Sequence, residues 1–458
     1  MYNLIAKTIV GPFLDFSRDR QTVKYLRELE KSQWWSREKI LQFQNEKLRE
    51  LARHAYNNVP YYRRVFDERA LKPNDIQSSA DLTKLPVLTK QLIRRHFDAI
   101  KAHGFPANQT ILARTGGSTG EPLVFWTTID DRDKLAFAKV RRALGWWGYE
   151  LGDKRAVIQL ARPHRSLAGR LRRYLERAET FVVWQSAREL PLFWDKLERF
   201  KPKFISAYPS FVYLLARHVE SRGGSKIRPK AIITHSEQLY DFQRELVRKV
   251  FNCEIYSHYE SFEMNEIAAE CPEHTGYHIA AESVIIEIVN NEGEPVPWGR
   301  EGRILITNLL NYAMPFVRYD SGDVGVISEK TCVCGRGLPL LDKLNGRIMD
   351  FVLTRNGKKI PGTSFMVPQV VATFTSEGID QFQIVQEKRE EVVVKVVVAK
   401  ESSPDRIDKV KDRVVEAYKQ ILGTDMNIVL EVVDHIPTTR DGKRRVVISK
   451  LTDVKDQI

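Results

Sequence analysis

The strongest constraint on the fold lies between residues 150 and 265, where short, β-branched apolar runs at 155–160, 181–184, 204–207, 231–234 and 253–258 are separated by stretches of helical period. Strands that alternate with helices need crossover connections, so this region is expected to form parallel βαβ units in an α/β sheet. The runs at 283–289 and 303–308, with Gly and Pro between them, predict antiparallel strands in a smaller sheet. After Asp350 the pattern starts afresh, with a helix around Val371, strands at 382–385 and 392–398, a helix at 405–421 and a strand at 427–433. That is a small α+β unit, and Asn345-Gly346 marks the boundary before it.

The leading part is of another kind. From 23 to 66 it is charged and helical, with Leu26, Leu29, Leu41, Leu48 and Leu51 at helical separations until Pro60 closes the run. A further helix is expected from Thr89, after the turn at 81–90. A chain of 458 residues suits two to four folded units of roughly 150 residues each. The expected division is an N-terminal α/β domain over 1–349, whose first 110 residues are helical, and a C-terminal domain over 350–458.

The net charge of +13 permits nucleic acid, an anionic membrane surface or a polyphosphate ligand as partner. No recognition-helix motif, zinc-finger spacing or aromatic–basic strand signature is present, so no nucleic-acid partner is expected. No run of ~18 uncharged apolar residues predicts a membrane span. Tyr2, Ile5, Ile9, Phe13 and Phe16 line one side of a short opening helix, but Lys7, Asp15 and Gly11-Pro12 interrupt it. It is read as a packed helix in preference to a peripheral membrane anchor. Four cysteines in so long a chain are no disulfide framework, and no signal-peptide pattern opens it, so a cytoplasmic location is expected.

Four clusters carry chemistry-bearing residues. In 114–122, Gly116, Gly117 and Gly120 with Thr115, Ser118 and Thr119 offer close backbone approach and hydroxyls suited to phosphate, although a glycine-rich turn by itself is commonplace. It is not a Walker loop, having no Gly-Lys-Ser/Thr end. Tyr259 to Glu263 follows a strand, where open α/β sheets bind ligands and where a carboxylate can hold hydrated magnesium. In 319–323, Asp323 follows a tight turn and suits a ribose diol. In 438–445, a flexible turn presents Lys443 beside Arg444 and Arg445.

In order, the glycine–hydroxyl loop, Tyr259-x-x-x-Glu263, Tyr319-x-x-Gly322-Asp323, Gly346-Arg347-x-x-Asp350 and Gly442-Lys443 resemble the adenylate-forming (acyl-CoA synthetase-like) superfamily over nearly the whole chain. The segments from Gln33-Trp34 to Tyr62, from Leu85 to Lys90 and from Ala268 to Cys271 resemble its phenylacetate–CoA ligase-like branch of capsule and exopolysaccharide biosynthesis. The resemblance implies a large adenylation domain with a small mobile C-terminal lid. It implies that Thr115, Gly116, Gly117, Ser118, Thr119 and Gly120 bind the β and γ phosphates of ATP, that Ser236 and Glu237 form the adenine-side loop, and that Tyr259 flanks the adenine. Glu263 would ligate Mg2+, Asp323 would hold the ribose, Arg347 would lie near the nucleotide at the hinge, and Lys443 would be the adenylation lysine. The implied activity is ATP-dependent, AMP-forming activation of a carboxylic acid as an acyl adenylate, with transfer to coenzyme A. The alternative is an adenylyltransferase, or a synthetase that passes the acyl group to a hydroxyl or amine in polysaccharide biosynthesis. Tyr208, Trp184 and His258 are the candidates to line the acyl pocket. Two departures stand out: Glu121 replaces a frequent lysine in the phosphate loop, and Glu260 replaces the usual glycine after Tyr259.

The cysteines take a role in the same frame. Cys271, Cys332 and Cys334 with His278, or alternatively His274, offer a Cys₃His set for tetrahedral zinc. The branch often carries a structural metal here. With all four positions taken by protein, such a zinc is structural, and Cys253 is left over as a core residue.

Overall fold

The computed structural model describes residues 20–115, 123–159, 174, 176–182, 190–347, 351–361, 365, 379–398, 404–437 and 445–451. Among the sequence expectations, the opening segment, Gly116 to Gly120, Trp184, the helix around Val371 and Lys443 lie outside these residues, as does the side chain of Arg347.

Two helices, Arg20–Ser32 and Arg37–Asn58, open the described chain. Pro60, expected to close the second, instead opens the next helix, Pro60–Glu68, at its first position. A proline has no N–H to lose there, and its φ already suits a helix. Thr89 caps the helix Lys90–Arg95 by accepting from the Leu92 amide at 3.2 Å, at the position the sequence indicates. An antiparallel hairpin, β1 (Thr110–Arg114) and β2 (Val124–Thr128), then frames the glycine–hydroxyl loop. Its neck is closed by Thr115, whose amide and hydroxyl both bond Leu123 at 2.9 Å.

The central sheet holds β3 (Arg155–Gln159), β4 (Ala178–Val182), β5 (Phe204–Ala207), β6 (Ala231–His235), β7 (Glu254–Ser261), β8 (Asn265–Glu270), β9 (Tyr277–Ile279), β10 (Val284–Val289), β11 (Glu301–Asn308), β12 (Tyr319–Ser328) and β13 (Leu340–Arg347). Their order is β10-β11-β12-β13-β9-β8-β7-β6-β5-β3-β4. The half from β4 to β7 is parallel, as the alternation of strands and helices predicts. The antiparallel strands, expected as a separate smaller sheet, continue it edge to edge through the β7–β8 and β8–β9 pairs. A free β7 edge would present unpaired backbone groups, and this meander covers them. The parallel half is buried against the helices Leu190–Phe200, Pro209–Ser221 and Asp241–Phe251, and β5 is accordingly buried along its whole length. The antiparallel half packs against the leading helices in a second core that includes Leu48, Leu51, Tyr62, Ile306 and Phe316.

β14 (Phe351–Leu353) and β15 (Lys359–Pro361) lead into a four-stranded sheet of β16 (Ile379–Lys388), β17 (Glu391–Val398), β18 (Asn427–Val432) and β19 (Val447–Ser449), in the order β18-β17-β16-β19. The helix Pro404–Leu422 buries Val410, Val414 and Tyr418 in a core of its own with Val392, Val394 and Val396. Arg217 donates to the Ile379 carbonyl, and Phe242 lies 6.4 Å from Phe382 between ring centres, so β16 meets the helices that cover the parallel half. No described helix is long and apolar enough to cross a membrane.

Candidate active site and metal centre

β6 ends at His235 beside His258 of β7, its register partner, and β7 runs on to Ser261. Carboxyl ends of parallel strands are where side chains emerge toward a ligand crevice. Ser236 then turns the chain sharply with a left-handed φ of 68°, and its hydroxyl lies 3.1 Å from His235 Nδ1. The Glu237 carboxylate accepts from the amide (2.9 Å) and hydroxyl (3.1 Å) of Ser210, in the first turn of Pro209–Ser221. A carboxylate there is favoured by the helix dipole and ties the loop after β6 back to the helix that precedes β6. Tyr208, the residue just before that helix, puts its ring 5.3 Å from His235.

Two motifs far apart in sequence interlock on β7 and β12. The Tyr259 hydroxyl donates to Asp323 Oδ2 at 2.7 Å, and the Tyr319 hydroxyl donates to Glu263 Oε1 at 2.8 Å. All four residues are buried. The Asp323 amide donates to Ser321 Oγ at 3.0 Å, and Gly322 supplies a positive φ of 76° where the register of β12 with β11 shifts, so the expected tight turn is an irregularity inside a strand. Asn308 Nδ2 donates to the Glu263 carbonyl at 3.3 Å, and Arg347 is the register partner of Asp323 across β12 and β13. Glu263 thus keeps one carboxylate oxygen on Tyr319, while the other has no hydrogen-bond partner among the described residues, a donor set compatible with hydrated magnesium. The sequence gives Tyr319 no role beyond opening its motif, and Asn308 none at all. Tyr319 opens the 319–323 motif, and that position was the available signal.

Behind this mouth lies a buried ionic network. His258 Nε2 is 3.0 Å from Glu266 Oε2, Arg142 is 3.6 Å from Glu266 and 2.7 Å from Glu282, and Ser32 Oγ donates to Glu282 at 2.5 Å. Lys139 reaches the carbonyl of Met264 at 3.2 Å. Burial pulls the His258 pKa down, but Glu266 and Glu260 outweigh it and hold the imidazole above its ordinary value. Burial likewise opposes the Glu266 charge, yet His258, Arg142 and Lys139 hold that carboxyl below its ordinary value. The clue missed in the sequence was Lys139 and Arg142 recurring three apart on the buried face of the helix Ala136–Trp146.

The sulfur atoms of Cys271, Cys332 and Cys334 and a ring nitrogen of His278 all lie within 4.8 Å of one another. Cys271 Sγ is 3.6 Å from Cys332 Sγ, and Cys334 Sγ is 3.3 Å from His278 Nε2. Burial and the nearby Arg336 press the His278 pKa down to about 4, so the ring is the neutral form that metals bind. Burial pushes the Cys271 thiol up to about 12. For Cys332 burial acts the same way, but hydrogen bonds from Thr275 Oγ1 and the Cys334 amide bring the thiol below its ordinary value. His274, the alternative ligand, is engaged elsewhere: it stacks on Tyr256 at 5.0 Å and lies 3.2 Å from Glu254 and from Arg244. Cys253 packs at the edge of the parallel-half core. Glycine brings the two cysteine loops in. A Cβ at Gly337 would run into the Trp35 carbonyl, and one at Gly276 would lie 2.8 Å from the Leu341 carbonyl.

A family model described as the CapK C-terminal domain matches residues 352–450. The chain is 26% identical over 442 residues to a phenylacetate-coenzyme A ligase of Thermus thermophilus, covering 90% of this chain and 97% of that protein. It is 22% identical to protein CapK of Staphylococcus aureus, covering 95% of this chain and 94% of that one. Its fold superposes with a TM-score of 0.72 on a crystal structure of 2-hydroxyisobutyryl-CoA ligase in the postadenylation state in complex with R3-HIB-AMP, at 19% identity over 90% of each chain. The chain is thus similar over most of its length to phenylacetate-coenzyme A ligases and to CapK, and it shares the fold of a solved acyl-CoA ligase.

Within this fold, the expected adenine, ribose and magnesium residues Tyr259, Asp323 and Glu263 come together at two hydrogen bonds, Tyr259 to Asp323 and Tyr319 to Glu263, with Ser236 nearby after β6. Of the three acyl-pocket candidates, Tyr208 and His258 come to the same strand ends, linked through His235 and Glu260.

Proposed function

We propose that this chain is an ATP-dependent, AMP-forming acid–thiol ligase that activates a carboxylic acid as its acyl adenylate and passes the acyl group to coenzyme A. The observation that carries the reading is the double cross-link of two nucleotide-site motifs, Tyr259 to Asp323 and Glu263 to Tyr319, in a chain similar over 90% of its length to a phenylacetate-coenzyme A ligase.

Adenylation brings a carboxylate oxygen onto the α-phosphorus of ATP and expels pyrophosphate, so negative charges crowd together as the barrier is crossed. The site must meet them with fixed positive charge and oriented donors. In this reading Asp323, held by Tyr259, takes the ribose, and Glu263, held by Tyr319, takes magnesium, which supplies charge to the phosphates when bound. Residues 115–120 take the β and γ phosphates, Ser236 and Glu237 shape the adenine side, and Arg347 stands at the hinge. Lys443 comes from a C-terminal domain at 350–458 that follows the N-terminal domain at 1–349. Thiolysis breaks the acyl–phosphate bond and releases AMP, and it needs the lysine withdrawn while a thiol enters. That sequence of needs is a physical reason to carry the lysine on a hinged unit. Cys271, Cys332, Cys334 and His278 would hold a structural zinc that pins the loop after β8 to the loop before β13.

The test is ATP–pyrophosphate exchange driven by a panel of aryl, short-chain, fatty and sugar acids, followed by thioester formation with coenzyme A. Lys443→Ala should lower exchange by about a hundredfold or more while sparing thioester formation from a preformed adenylate. Undiminished exchange would refute the lysine assignment. Exchange with transfer only to a hydroxyl or amine would replace coenzyme A as the acceptor.

A further inference from the structure

Among the described residues, Glu260 is the carboxylate at the mouth of β6 and β7 that the nucleotide assignment leaves without work. It stands beside Tyr259, its side chain is 31% exposed, and its contacts are all long: 3.4 Å to Ser236 Oγ, 3.5 Å to His235 Nδ1 and 3.5 Å to His258 Nδ1. A carboxylate accepts up to about four hydrogen bonds and is strongest with donors at ~2.7–2.9 Å. Among the described residues no such donor reaches it.

The neighbours hold it in place without using it up. His258 is fixed from behind by Glu266, at 3.0 Å from Nε2, and Glu266 is in turn fixed by Arg142. With Nε2 held there, the other ring nitrogen, Nδ1, faces Glu260 at 3.5 Å. On the other side His235, flanked by the Tyr208 ring, closes the pair. The result is a chain of side-chain contacts from the buried Arg142 through Glu266 and His258 out to a partly exposed carboxylate at the strand ends, where a ligand enters an open α/β sheet. An apolar acyl group packed there would desolvate that anion with nothing in return.

We propose that Glu260, positioned by His235 and His258, is a specificity carboxylate for the acid substrate, selecting acids that carry a hydroxyl or ammonium donor on the acyl group over their unsubstituted analogues. The inference rests on the acid–thiol ligase reading and names its substrate class. A site built around a charged acceptor rejects the analogue lacking the donor, because the buried side of the acceptor is left unpaired.

The experiment uses matched acids that differ by one substituent: a hydroxylated, an aminated and an unsubstituted member of each aryl and short-chain pair. Pyrophosphate release is measured for the full-length wild-type protein, Glu260→Gln and Glu260→Asp, each checked for folding by thermal denaturation. The wild type should favour a donor-bearing member by about tenfold to a hundredfold in kcat/KM. Preference for the aminated member alone identifies an ammonium; equal preference for both identifies any donor. Glu260→Gln should bring the ratio close to one, and Glu260→Asp should keep part of it. Three results overturn the inference alone: an unsubstituted acid used as well as its donor-bearing partner, a ratio that survives in Glu260→Gln, or a loss confined to the KM for ATP and equal for every acid, which would put the carboxylate on the nucleotide. Pyrophosphate release with no acid of either series overturns the ligase reading and this inference with it.

Discussion

Removing the hydroxyl of Tyr259 tests whether the contact between β7 and β12 orients the ribose carboxylate. Tyr259→Phe deletes one atom, the donor that sits 2.7 Å from Asp323 Oδ2, and keeps the ring in the core it shares with Ile267 and Phe316. Tyr259 is 7% exposed and Asp323 8%, so water screens the bond little. A hydrogen bond to a charged partner in such a place contributes about 1.5–3 kcal/mol. If that energy fixes the carboxylate for the ribose, kcat/KM for ATP should fall roughly tenfold to a hundredfold, with the KM for the acid unchanged. The assay is ATP–pyrophosphate exchange at varied ATP and saturating acid, repeated for Asp323→Asn and the double variant. The two losses should overlap, giving a coupling energy of about 1–3 kcal/mol. Losses that simply add to within ~0.5 kcal/mol, or an unchanged KM for ATP in Tyr259→Phe, would refute the claim that this bond prepares the nucleotide site.

Two further outcomes follow from the buried groups. Gently purified protein should contain about one zinc per chain, and Cys332→Ser should lose the metal and several degrees of apparent Tm; elemental analysis showing well under one metal per chain in the wild type would remove the metal site. The His258–Glu266 pair sets a pH window. Glu266 is held below its usual 4.5, so its contribution is present above about 4.5 and is lost as pH falls through the folded value. His258 is held above its usual 6.5, so its contribution is complete below about 6.5 and fades as pH rises through its folded value. Thermal stability should therefore pass through a maximum between about pH 4.5 and 6.5, and His258→Gln should flatten the alkaline side; an identical alkaline slope in that variant would show that the pair does not set it.

Much of the fold was legible because local chemistry and tertiary role agree. Thr89 caps its helix, the β-branched runs form the parallel strands, and the helix at 404–422 follows its own apolar face. Pro60 misled because one residue that ends a helix by its missing N–H is equally suited to begin the next, and only the chain's path selects between them. The antiparallel strands misled for a related reason. Apolar alternation specifies which face of a strand is buried, but not which edge it pairs with, so nothing local says that β8 extends the parallel half.

The sequence by itself determined the residue types on offer and their order along the chain: the glycine–hydroxyl loop, Tyr259 and Glu263, Asp323, the cysteines and the terminal lysine, together with the strands and helices that carry most of them. Only the tertiary structure decided which of these touch. It paired Tyr259 with Asp323 and Glu263 with Tyr319, chose His278 over His274 as the imidazole beside the three thiols, and turned Glu260 from an odd residue after a tyrosine into a half-exposed anion between two histidines. The physical reason is range. Propensity, capping and periodicity act over a few residues, whereas a hydrogen bond of 2.7 Å between positions 259 and 323 depends on the register of every strand packed between them.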